Sequence, residues 1–226
     1  MNRIFVTGDT HGDIDIRKIK PWKKAVGDLD ETDILIVCGD MGFFWDGGAY
    51  DRYIKRYWEQ QPFTVLWVDG NHENFELLSA VPVGEKWGGK VQQCARNVYH
   101  LCRGEVYNIY DHLFFAFGGA TSHDKWCRKE GVSWWSQEMP NQVEMNNAIS
   151  NLEKVNYEVD FIVTHCADDF TQRMIDPSYE PDTCTNFLRE VSITTSWKKW
   201  FIGHYHRDQI MPDNMRLIYH DIIQII

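Results

Sequence analysis

The stretch VTGDTHGDID, residues 6–15, ends an apolar run in three aspartates, a histidine and two glycines. Gly8 and Gly12 suit a turn whose backbone groups Asp9, Thr10 and Asp13 satisfy. The same residues also suit a site, because polar residues just past the carboxyl end of a strand in an α/β protein lie at the crevice where ligands bind. Asp9 and His11, two apart on extended chain, point the same way and can grip one metal ion. The rest of the chain decides between turn and site.

Apolar runs rich in Ile, Val and Phe recur at 3–7, 33–38, 63–68, 113–117, 159–163 and 199–202. Each is too short for a typical helix and is bounded by turn residues, so these runs predict strands. Helical spacing occupies 15–26, broken or restarted at Pro21, then 49–61, 73–80, 141–155 with Pro140 in its first turn, and 183–191. Residues 98–117 read as consecutive strands turning at Arg103-Gly104, and the final MRLIYHDIIQII as one or two more. That order predicts two sheets facing each other with helices outside, rather than one parallel sheet. No linker, low-complexity stretch or repeat divides the chain, so 1–226 reads as a single domain.

Composition narrows the class. Hydrophobic residues make up 43% of the 226 and aromatics 14%, including ten tryptophans, which excludes a disordered chain. The 33 acidic and 23 basic residues leave a net charge of −10, which opposes nonspecific attraction to nucleic acid or an anionic membrane. No apolar run approaches the roughly 20 residues of a membrane helix, and the strand-like N-terminus lacks a signal-peptide layout. A soluble, cytoplasmic protein with no membrane partner is expected. Cys38, Cys94, Cys102, Cys127, Cys166 and Cys184 form no CxxC pair and read as small reduced core residues.

The chemistry lies in the residues just past each strand. ILIVC leads into Gly39-Asp40, TVLWV into DGNHE with Asn71 and His72, DFIVT into His165, and WKKWFI into GHYH with His204 and His206. Each taken singly has a structural explanation as a turn or a half-buried histidine. Together, five strands end in metal-ligand types, and carboxylates and imidazoles gathered at one edge without a cation would be costly. Asp9, His11, Asp40, Asn71, His165, His204 and His206 are too many for one tetrahedral zinc and fit a pair of ions sharing a carboxylate. Their mixture of nitrogen and oxygen suits Mn, Fe or Zn better than Ca or Mg.

GDTHG, GD at 39–40, GNHE, TH at 164–165 and GHYH, in this order, resemble the five motifs of the calcineurin-like metallophosphoesterase superfamily. The resemblance runs from residue 8 to 206. It implies a four-layer αββα sandwich, two mixed sheets flanked by helices, with a dinuclear site at one edge. It further implies two divalent metal ions, Mn before Fe, Zn, Ni or Mg. By the family pattern Asp9, His11 and His206 bind the first, Asn71, His165 and His204 the second, and Asp40 bridges them. His72 is then not a ligand but a proton donor or transition-state stabiliser near the leaving-group oxygen, oriented by a neighbouring carboxylate. The reaction implied is hydrolysis of a phosphate ester by a metal-bridging hydroxide. Asn71, being neutral, preserves the positive charge offered to the phosphate.

The chain departs from the protein serine/threonine phosphatase branch, which carries arginines beside its second and third motifs. Here those places read GDMGFFWDGG and WVD, which argues against the protein-phosphatase subclass, although Arg52 or Arg128 could supply a clamp from elsewhere in the fold. Residues 117–140, FGGATSHDKWCRKEGVSWWSQEMP, resemble a block of the bacterial and phage-type branch and more distantly a segment of lariat-debranching relatives. One interpretation is a substrate wall, with Arg128 on the phosphate and Trp126, Trp134 and Trp135 as stacking surfaces. The other is a surface loop whose tryptophans cover the core and whose Asp124, Arg128 and Glu138 pair with one another.

The expected function is a metal-dependent phosphoesterase, with phosphomonoesterase activity placed slightly before phosphodiesterase or nuclease activity. The expected substrates are a phosphorylated small molecule, nucleotide or phosphoprotein, with nucleic acid left open. A catalytically silent protein-binding scaffold is the alternative from another class, but it would be expected to lose site residues, and all eight positions are filled here.

Overall fold

In the computed structural model, which describes residues 2–226, the first strand divides its side chains between two cores. Along β1 (Ile4–Thr7), Phe5 faces outward to Trp22, with ring centroids 5.0 Å apart, while Ile4 and Val6 join a cluster with Phe114, Phe161 and Phe201. The pleat imposes this split, since successive residues point to opposite faces. After α1 (Ile19–Val26), β2 (Ile34–Val37) repeats it, with Leu35 and Val37 outward and Ile34 and Ile36 inward. Strands buried on both faces become continuous apolar runs, which makes them readable in the sequence.

The chain continues through α2 (Ala49–Glu59), β3 (Thr64–Trp67), α3 (Phe75–Ser79), β4 (Val83–Lys86), β5 (Gly89–Ala95), β6 (Val98–Leu101), β7 (Glu105–Ile109) and β8 (His112–Phe117). Its second half carries α4 (Gln142–Lys154), β9 (Phe161–Thr164), α5 (Asp169–Ile175), α6 (Thr183–Thr194), β10 (Lys199–Ile202), β11 (Gln209–Ile210), β12 (Met215–Leu217) and β13 (Ile222–Gln224). One sheet has the order β13-β1-β2-β3-β6-β5-β4, the other β11-β12-β10-β9-β8-β7. In each, four central strands run parallel and the outer ones antiparallel, so both sheets are mixed.

Helices cover the outer faces. Ile19, Trp22, Ile54, Trp58, Phe75 and Leu78 of α1 to α3 pack on the first sheet, and Ala148, Leu152, Phe187, Leu188 and Val191 of α4 and α6 on the second. Each large apolar side chain buried this way contributes roughly 1.5–3 kcal/mol. Four layers, αββα, result. No helix among the described residues is long and apolar enough to cross a membrane.

Two elements stand outside the sequence expectations and one expectation changes. The hairpin β4–β5 has no counterpart in the sequence pattern, because its edge strand Val-Gly-Glu-Lys is largely exposed and lacks an apolar run. Helix α5 has only seven residues, started by the Asp168 side chain accepting from Thr171 N. Pro140 stands outside α4 rather than in its first turn, since Asn141 is the N-cap and forms a capping box with Glu144. Pro21 does lie in the first turn of α1, where its missing N–H costs nothing.

Candidate metal centre

Strands β1, β2 and β3 of one sheet and β9 and β10 of the other end at a common edge, and the turns leaving them carry the candidate residues. Four of these residues sit in left-handed backbone conformation: His11 (φ 40°), Asp40 (φ 45°), His204 (φ 65°) and His206 (φ 48°). Such a conformation costs an ordinary residue roughly 1–2 kcal/mol, and non-glycine instances cluster at functional sites. The turns are also tight. A Cβ on Gly39 would collide with His165 Nδ1, and one on Gly70 with Asp40 Oδ1.

The side chains converge in overlapping groups: Asp9, His11 and His206; His11, Asp40 and His72; Asp40, His165 and His204. Asp40 stands in the middle, its Oδ2 3.5 Å from His11 Nε2 and 3.3 Å from His165 Nε2. Its other oxygen accepts from the backbone N–H of His72 at 2.8 Å. Asn71 joins the third group, with Oδ1 3.2 Å from His165 Nε2. All seven expected ligand positions are therefore brought to one place.

The donor set fits divalent cations. Asp9 is fully buried, yet its Oδ2 makes no hydrogen bond, and His206 Nε2 lies 3.2 Å away without donating to it. A buried carboxylate oxygen without a donor is expensive unless a cation satisfies it. The far nitrogens of two imidazoles are already committed: His11 Nδ1 to Asp15 Oδ2 and His165 Nδ1 to the Cys38 carbonyl, both at 2.8 Å. That leaves each Nε2 facing the cluster, the arrangement that orients an imidazole toward a metal.

Electrostatics in the protein alone place protons among these groups. Burial pulls His165 down, but the Asp40 and Asp9 carboxylates outweigh it and push its pKa up to about 10. His11 moves in the same way to about 9, with Asp40 the chief opposing charge. Against the cost of burial, the imidazoles hold Asp40 well below and Asp9 below the usual carboxylate range. His204 differs, lowered to about 3 by burial and by the His165 cation. Two protonated imidazoles thus face two carboxylates.

His72 borders the cluster, its ring 5.8 Å from that of His11. Among the described residues no side chain hydrogen-bonds its ring, so the expected orienting carboxylate is not in contact. Burial lowers its pKa, and the nearby Arg128 and His11 reinforce this against Asp40. Arg128 itself donates from Nε to Asp124 at 2.6 Å and from Nη1 to the Ser133 carbonyl at 3.0 Å. Of the three tryptophans in its segment, only Trp126 is strongly exposed, while Trp135 belongs to the core cluster on the outer face of the first sheet, which favours the core-covering interpretation over a stacking surface for that residue. Glu138 pairs with neither Arg128 nor Asp124. It is buried and accepts from the N–H and hydroxyl of Ser122.

Sequence reasoning passes over several residues that shape this edge. Asp15 is within sight, four residues after His11 in the same stretch. Ser122, which accepts from Asn71 Nδ2 at 3.1 Å, carries no pattern to find it. Lys18 donates to the Gly8, Asp9 and Tyr219 carbonyls and ties the first loop to the C-terminal segment.

A two-sheet αββα sandwich whose strand ends gather aspartates and histidines in overlapping triads presents an edge able to hold metal ions. A family model for calcineurin-like phosphoesterases matches residues 2–208, and the chain belongs to that family. It is accordingly a metal-dependent phosphoester hydrolase that employs divalent ions. No curated protein matches the chain.

Proposed function

We propose that the protein is a phosphomonoesterase working with two divalent cations, Mn first among them. Asp9, His11 and His206 would hold one ion and Asn71, His165 and His204 the other, with Asp40 between them. When bound, the ions supply charge neutralisation at the phosphoryl oxygens and acidify a water molecule. The observation that supports the two-cation part of this reading is the centrality of Asp40, whose Oδ2 is shared between His11 and His165 while the fully buried Asp9 Oδ2 lacks a donor.

The protein's own groups divide the remaining work. Asp15 and the Cys38 carbonyl hold the rings of His11 and His165. His72, within the same edge, gives a proton to the departing oxygen. Arg128 contacts the phosphate: its field reaches His72, and its Nη2 has no partner among the described residues. An extra guanidinium suits the second negative charge of a monoester. An ammonium cannot reproduce a fork-shaped contact, so Arg128→Lys should chiefly raise KM if the contact is equal in ground and transition states, and lower kcat as well if it strengthens as charge develops.

A phosphorylated small molecule, nucleotide or phosphoprotein is the substrate proposed, with nucleic acid second because the net charge is −10. A reducing, cytoplasmic setting suits six free cysteines. The test is a Mn²⁺ activity panel comparing p-nitrophenyl phosphate, bis-p-nitrophenyl phosphate and short RNA and DNA. Turnover of the monoester above the diester is expected. The reverse order overturns the monoesterase assignment, and cation-independent or absent turnover overturns the wider one.

A further inference from the structure

A pocket of about 370 Å³ opens directly beside His11 and His72, and its outer walls are Ile14, Trp45 and Tyr50. We propose that it holds the leaving-alcohol part of the substrate and that this part carries a flat, uncharged ring system of the nucleoside kind. The inference rests on the phosphoesterase reading above, with His72 on the leaving-group side. In that hydrolysis the P–O bond to the alcohol breaks, a water oxygen replaces it on phosphorus, and the alcohol oxygen receives a proton. A residue that delivers this proton must line the space the alcohol occupies, and His72 lines this pocket.

The walls decide the chemistry. No Lys, Arg, Asp or Glu side chain lines the pocket. Apart from His11 and His72 on the side of the cluster, it offers no charged side chain to a second phosphate, a sugar acid or an acidic peptide, whereas aromatic faces hold any flat ring. A second pocket near the cluster, about 360 Å³, is the contrary case: His123, Lys125, Glu180, Asp182 and His204 are among its walls, and His72 is not.

The apolar wall is also built rather than incidental. Trp45 is 40% exposed and Ile14 66%, a cost in water if nothing covers them. Yet the Trp45 backbone is fixed at both ends, its N–H donating to the buried Asp51 at 2.9 Å and its carbonyl accepting from Asn74 at 2.8 Å. Asn74 caps α3 just after His72, so the indole and the imidazole are carried by one connected framework. Tyr50 is fixed in turn: its hydroxyl donates to Asp13 Oδ1 at 2.8 Å and accepts from Asp13 N at 3.1 Å, pressed against Gly12. Two aromatic residues on fixed backbone beside the proton donor form a stacking site at low entropic cost.

The test compares adenosine 5′-monophosphate with ribose 5-phosphate, which share a leaving oxygen and differ by the ring. The nucleotide should show a kcat/KM about 10-fold or more higher, the scale of one base stacking on an aromatic side chain. Trp45→Ala, and separately Ile14→Glu, should bring the ratio of the two toward unity. Independently of turnover, equilibrium dialysis should find adenosine, but not ribose, bound to the metal-free protein and released by either substitution. Equal kcat/KM for the two esters, or a ratio that survives both substitutions, overturns the pocket assignment while leaving the phosphoesterase reading standing. Adenosine held by Trp45 in a protein that turns over no ester would support the pocket and overturn the phosphoesterase reading instead.

Discussion

The Asn71 amide donates to Ser122 Oγ at 3.1 Å, and Ser122 donates onward to Glu138 Oε2 at 2.6 Å. With its hydroxyl hydrogen committed to a buried carboxylate, Ser122 offers Asn71 only a lone pair. Asn71 must therefore present Nδ2 to Ser122 and Oδ1 to the cluster. Ser122→Ala should lower metal affinity roughly 10–100-fold, the usual cost of losing an outer-shell partner, and Ser122→Thr should restore part of it. Chelator competition measures this. Equal affinity in Ser122→Ala and the parent would remove Ser122 from the positioning of Asn71.

Asp40→Asn should reduce metal content and activity together. The substitution removes the one carboxylate set between His11 and His165 and would leave the two proposed cations less screened from each other. Elemental analysis that still finds two ions per chain would count against the sharing of Asp40.

His72→Ala should keep the metals and slow turnover by roughly 10²–10⁴, the range for a positioned acid–base group. Good leaving groups should suffer less than poor ones, since they depart without a proton. Burial, Arg128 and His11 hold the His72 pKa below the ordinary histidine value, so the donor form is populated toward acid. The His72-dependent part of the rate should therefore decline as pH rises. Equal losses across leaving groups would sink the proton-donor role.

The metal-free protein should respond to pH in a direction set by His165 and His11. Their pKa values, about 10 and about 9, lie above the ordinary 6.5, so their contribution to stability is complete below pH 6.5 and is lost as pH rises through 9 to 10. Cations require neutral imidazoles and must displace those protons. Metal titration in weak buffer near pH 7.5 should release about two protons per chain. Affinity should climb with pH up to about 10, and the gap in unfolding temperature between loaded and metal-free protein should widen over the same range. A titration that releases no protons would show that both imidazoles are already neutral.

Both the double-sheet plan and the seven converging residues were legible because burial on two faces writes strands as apolar runs, and the polar residue after each run then stands out. Where exposure relieves that constraint, legibility fails: the β4 edge strand mixes glycine and charge, and β11 has two residues. Composition also could not separate Trp126, which is exposed, from Trp135, which is in the core, since both belong to one tryptophan-rich segment. The Asn71–Ser122 bond joins positions 51 apart through side chains alone, and no periodicity records such a contact.

The close approach of Gly39 to His165, and of Gly70 to Asp40, bears on how this site can change over generations or in the hands of an engineer. The loop after β2 must stay small at residue 39 because His165, which follows a strand of the other sheet, occupies the space, and the loop after β3 must stay small at residue 70 because Asp40 of the loop after β2 does. Each loop is thus tailored to a side chain borne by another. Loops taken singly from a relative with different spacing would collide with residues they do not themselves carry. The edge can be exchanged only as a set, whereas Trp45 and Ile14 on the surrounding wall stand free of that interlock and can be replaced one at a time.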